Sequence, residues 1–218
     1  MNGTQRDLNE ENRRNQPTIG GAFGEGWRTM WMEFPILFIM FLIYISAGLV
    51  ELLVVHFMFS DDIFSVVVSM VFSLLISWPL FFGVCQLYLR IVRRQEIQIV
   101  QIFDGFARLL SIVLAAIIIT VSTVLGLIFF VIPGVIIFCK LIFTPYLMMD
   151  KDLNAGDAIA LSWRLTKGHT GQIFLMLLLA GSVMFVGMLI IGIGLIPAWI
   201  WVMLTVASFY NTLTADKT

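Results

Sequence analysis

Glu51 and Lys140 most demand a chemical explanation, because each stands alone inside a long apolar run. An ionisable side chain in hydrocarbon is costly and by default signals a partner or a function. Glu51 falls eight residues before the end of the run 34–59, and Lys140 falls nine residues after Val131, near the start of another run. At 1.5 Å per residue both would stand roughly 12–14 Å below the same, outer, surface. The spacing predicts an intramembrane polar pair facing the bundle interior, joined directly or through water. Such a pair either fixes helix packing or lines a path for a ligand or solute. His56, five residues beyond Glu51, is expected to wet its ring at the outer interface.

A second set of charges recurs. Three times an acid, a small residue and an apolar one stand in a row: Glu25-Gly26-Trp27, Asp104-Gly105-Phe106 and Asp157-Ala158-Ile159. Arg28, Arg108 and Arg164 follow at offsets of three, four and seven, which keep each arginine on its acid's face of a helix. Pro79 precedes Asp104 by 25 residues and Pro133 precedes Asp157 by 24, so an internal repeat is expected. As a helix, 155–167 puts Ala158, Leu161, Ser162 and Leu165 on one side and Asp157, Arg164 and Lys167 on the other. Asn154 is the expected N-cap, with Asp157 at the third helical position. That structural use explains Asp157 without catalysis. The chemical alternative is a headgroup or phosphate site made of Asp157, Arg164, Lys167 and His169.

No catalytic constellation, metal site or cofactor site is expected. The two histidines, His56 and His169, are predicted on opposite sides of the bilayer. Cys85 and Cys139 lie in apolar runs without metal-ligand spacing and are read as buried small hydrophobes. The Gly192-Ile193-Gly194 triplet is read as a turn, not a phosphate loop. No basic domain points to nucleic acid.

The elements that must position these residues follow from composition. Hydrophobic residues make up 60% of the chain and charged ones 12%, against about 45–50% and about 25% in soluble domains. Six apolar runs are predicted to span a membrane, at about 34–59, 63–89, 109–130, 135–149, 172–191 and 198–213. Pro79 should kink the second, and 131–134 should turn the third directly into the fourth. Residues 1–18 read as a disordered polar tail without a cleavable signal, and 19–218 as one all-α transmembrane domain. The segments 19–33, 95–108 and 155–167 mix aromatic, apolar and charged residues and are expected to lie as amphipathic helices in the interface, one before each of three helical hairpins. Arg6, Arg13, Arg14 and Arg28, then Arg90, Arg93, Arg94 and Arg108, then Lys151, Arg164 and Lys167, and finally Lys217 fall on one side of these runs. The opposite loops carry no Lys or Arg, and one holds Asp61 and Asp62. The positive-inside rule therefore predicts both termini in the cytoplasm.

Ile132-Pro133-Gly134, Phe143-Thr144-Pro145-Tyr146, Asp150, Asp157-Ala158 and the run Ser162-Trp163-Arg164-Leu165-Thr166-Lys167-Gly168 together resemble uncharacterised bacterial polytopic membrane proteins of the YciC-like kind. They are similar too to the membrane domain attached to some glycerophosphodiester phosphodiesterases. The resemblance extends over 83–106, Pro197 and Tyr210. It implies a six-helix domain of the bacterial inner membrane and does not imply phosphodiesterase activity, since no soluble catalytic domain is seen in this sequence. The resulting expectation is a non-enzymatic accessory or organising factor that binds membrane lipid, including anionic headgroups at the cytoplasmic face, or a membrane-protein partner or second copy. The competing expectation is a small transporter or permease-like subunit using the interior around Glu51 and Lys140, with a lipid enzyme third.

Overall fold

The computed structural model of the protein describes residues 18–58, 63–189 and 194–215. Most of the expected tail, Asp61 and Asp62, Gly192-Ile193 and Lys217 lie outside the described residues. The described residues are helical apart from short links such as 93–98 and 151–154, with no strand among them. In hydrocarbon every backbone N–H and C=O must find a partner within the chain, and a helix of Leu, Ile, Val and Phe does this alone.

In order, α1 (Ile19–Met32) leads into α2 (Phe34–Met58) and α3 (Ile63–Phe72). A π turn (Ser73–Ser77) joins α3 to α4 (Trp78–Val92), and a 3₁₀ segment (Ile99–Arg108) runs on into α5 (Leu109–Phe129). Then come α6 (Val131–Leu141), α7 (Thr144–Asp150), α8 (Ala155–Leu165), α9 (Thr170–Leu189) and α10 (Leu195–Ala215). Six helical stretches are long and apolar enough to cross a membrane: Phe34–His56, Ile63–Val92, Ile99–Phe129, Ile132–Asp150, Thr170–Leu189 and Leu195–Ala215. The chain is thus built as a multi-pass membrane protein.

Two boundaries depart from expectation. The turn expected over 131–134 is already helical, and a single extended residue, Phe130 (φ −161°, ψ 143°), reverses the chain. This works because Gly126 lies directly against Gly134, where an added carbon would come within 2.8 Å of the facing Cα. The fourth stretch is also not one rod, since it breaks at Ile142-Phe143 into α6 and α7. At Pro79 the expected disruption takes the form of the π turn just ahead of it. Proline has no N–H to give to the preceding turn, and a π turn re-spaces the carbonyls it leaves.

The short helices determine the packing. The 3₁₀ segment lies on α4, α8 lies on α7 and α6, and α1, from the opposite end of the chain, lies on α10. Small residues stand at these contacts: Gly105 lies against Pro79 and Gly26 against Thr205, and Ala158 on α8 is fully buried. These are the middle residues of the three acid–small–apolar triplets. The core accordingly sits in one half of the molecule, around Phe82, Tyr88, Phe143, Tyr146, Phe209 and Tyr210. Away from it, α2, α3, α5, α6 and α9 expose apolar side chains such as Leu52, Val66, Ile128 and Phe185, while Leu37, Met40, Ile112, Cys139, Ile173 and Met176 of these helices join the core.

Gly83 and Gly105 lie so close to the backbone carbonyls of Ile102 and Pro79 that any side chain would collide with them. Gly105→Leu should therefore cost about 3 kcal/mol, the upper end for overpacking, seen as loss of the monodisperse peak on size exclusion. Gly181→Leu, where an added carbon meets open space, should melt like the parent protein in the same detergent.

Candidate functional site

Three spans meet at the densely packed end through one polar knot. Arg93, just past α4, holds Asp150 at the end of α7 with both guanidinium arms. Nη1 makes the shorter contact with Oδ1, and Nη2 donates to Oδ2 at 3.0 Å. Nε of Arg93 donates to Asn211 Oδ1 (2.9 Å), and the Tyr210 hydroxyl donates to Asp150 Oδ2 (2.9 Å), both from α10. A bidentate arginine–carboxylate pair is geometrically demanding, so this knot sets the relative height of α4, α7 and α10. In the same core, the buried hydroxyls of Tyr88 and Thr144 and the Gln86 carbonyl oxygen have no hydrogen-bond partner among the described residues.

A different polar feature lies in the loosely packed half. Glu51 on α2 accepts one hydrogen bond on each carboxylate oxygen, from Ser69 (2.8 Å) on α3 and from Ser77 (3.1 Å) at the end of the π turn. Ser65, Ser69, Ser73 and Ser77 follow one another at intervals of four, so the helix turns a hydroxyl stripe toward α2. Glu51, Ser65, Ser69, Ser73, Trp78 and Thr120 border a cleft of about 650 Å³ between α2, α3 and α5. A smaller cavity of about 320 Å³ adjoins it along Tyr44, Ser77 and Phe81. Toward the polar knot, the interior is filled by Phe82, Cys85, Tyr88 and Tyr146, all buried.

Among the described residues Glu51 and Lys140 form no direct ion pair, and each has other contacts. Lys140 Nζ lies 4.8 Å from the centre of the Trp163 ring on α8, and the Lys140 carbonyl accepts from the Ser162 hydroxyl (2.7 Å). Cys139 borders the same apolar groove, about 430 Å³, as Thr170 and Gly171 at the start of α9. Lys140 thus stands level with the beginning of α9.

Nor do the three acid–arginine motifs close into ion pairs among the described residues. Glu25 accepts from Ser208 (2.8 Å) on α10, while Arg28 is exposed. Asp104 is exposed, and Arg108 instead clamps the α7–α8 link, donating to the carbonyls of Met148, Asp152 and Leu153 and pairing with the Asp152 carboxylate. Asp157 is engaged by Asn154, whose side chain caps the α8 N-terminus as expected (2.9 Å) and donates to the acid (2.7 Å). Arg164 and Lys167 are exposed, and His169 meets Gln172 (3.0 Å).

Sequence reasoning missed the Arg93–Asp150–Tyr210 knot and the serine stripe. The stripe had a visible signal, four serines at a constant interval in an otherwise apolar run. Comparison with known proteins finds no matching family model, no matching curated relative and no matching solved structure.

Removing one partner from a largely buried ion pair strands the other charge, at about 3–5 kcal/mol. Asp150→Ala should lower thermal stability by that order, whereas Tyr210→Phe, which deletes one hydrogen bond, should cost about 1–2 kcal/mol. Melting curves of both variants in one detergent compare the two directly.

Proposed function

We propose that the protein is a non-enzymatic accessory factor of the bacterial inner membrane that binds anionic lipid headgroups at the cytoplasmic face. Both termini are cytoplasmic in this reading, and the three short helices lie in the interface as repeated units ahead of three hairpins. One observation carries it: each short helix exposes aromatic rings beside basic side chains. Trp27 and Trp31 flank Arg28 on α1, Phe103 and Phe106 precede Arg108, and Trp163 adjoins Arg164 with Lys167 close behind.

Indole and phenyl rings favour the headgroup region, and nearby Lys and Arg draw anionic lipid. Arg28, Arg164 and Lys167 make no ion pair among the described residues, so their charge remains available. Filling of the interior between the Glu51 cleft and the polar knot favours binding over passage of a solute. The resemblance to the YciC-like proteins agrees with this reading. The same belt is where a membrane partner or a second copy would dock.

Each basic residue near an anionic surface is worth about 1 kcal/mol. The triple variant Arg28→Gln, Arg164→Gln, Lys167→Gln should therefore bind phosphatidylglycerol about two orders of magnitude more weakly than the parent. Native mass spectrometry with defined phosphatidylglycerol and phosphatidylcholine mixtures reads this ratio. Equal retention of phosphatidylglycerol by variant and parent would contradict the proposal.

A further inference from the structure

We infer that the Glu51 cleft is a binding site for a lipophilic organic cation, an ammonium or similar charge carried on an apolar body. The carboxylate supplies the first reason. Ser69 and Ser77 each donate one hydrogen bond to it, which leaves acceptor capacity on both oxygens, and Glu51 itself borders the cleft. In surroundings poor in water the natural complement of a carboxylate is a cation, and Lys140, engaged with Trp163, does not serve as one.

Trp78 supplies the second reason, since it borders the same cleft and an indole face attracts an organic cation. The remaining wall supplies the third: Val55, Val66, Met70, Leu74 and Ile117 are apolar and suit a hydrocarbon or aromatic body. A volume of about 650 Å³ falls within the range of about 300–1,000 Å³ typical of small-molecule sites. A bare metal ion fits less well, because the serine hydroxyls nearest the acid are already turned toward it as donors and the wall offers few other oxygens. A neutral acyl chain would leave the carboxylate unanswered. The site is distinct from the basic belt and does not depend on it.

The test uses the full chain in phosphatidylcholine nanodiscs, with the fluorescent cation rhodamine 6G followed by polarisation. The parent protein should bind it saturably, and dodecyltrimethylammonium should compete while dodecanol should not. Glu51→Gln should weaken binding at least tenfold, with elution volume and melting temperature kept, and Trp78→Leu should weaken it by a smaller factor. The triple variant lacking Arg28, Arg164 and Lys167 should bind rhodamine 6G like the parent. Undiminished affinity in Glu51→Gln, equal competition by dodecanol, or absence of saturable binding would each overturn the inference. If Glu51→Gln does not fold, the competition between the charged and neutral dodecyl compounds on the parent protein decides alone.

Discussion

The Arg93–Asp150 bond is the constraint on which the rest of the structure depends. It joins residues 57 apart in sequence and, through Asn211 and Tyr210, adds the last helix to the same knot. In lipid there is little hydrophobic force to press apolar helices together, so polar contacts and close packing must hold the bundle. This chain concentrates both at one end. There α4, α7 and α10 are locked in height by the knot, and their outer faces are covered by the 3₁₀ segment, α8 and α1.

Concentrating the core at one end leaves the opposite half loose. Glu51 ties α2 to α3 and the π turn through Ser69 and Ser77, and a cleft remains between α2, α3 and α5. Two chemistries are thereby separated: exposed cations beside aromatic rings at the packed end, and a carboxylate among hydroxyls and hydrocarbon in the other half. The first suits anionic headgroups and the second suits a cation. The Pro79-associated π turn links the two halves, since it closes the serine stripe at Ser77 while α4 continues into the core. A distortion costing some helix regularity thus aims a hydroxyl at Glu51.

What was legible in the sequence was what each segment does on its own. The apolar runs announced helices of spanning length, and the Asn154 cap followed from residue type and position. The acid–small–apolar triplets were visible as a pattern, but the weight was placed on their charges, whereas in the structure Gly26 and Gly105 are points of close helix contact and Ala158 is fully buried. The partners of two of these charges could not be read from the sequence because they come from distant elements: Ser208 for Glu25 and the α7–α8 link for Arg108. The break of the fourth stretch at Ile142-Phe143 was likewise invisible in a continuous apolar run.

The most direct measurement is hydrogen–deuterium exchange on the Asp150→Asn variant, followed separately in α4, α7 and α10. If the knot holds three spans at once, the amides of 84–92, 144–150 and 204–213 should lose protection together, while the far half of α5 exchanges as in the parent protein. Loss of protection confined to 144–150, with the neighbouring spans unchanged, would contradict the account.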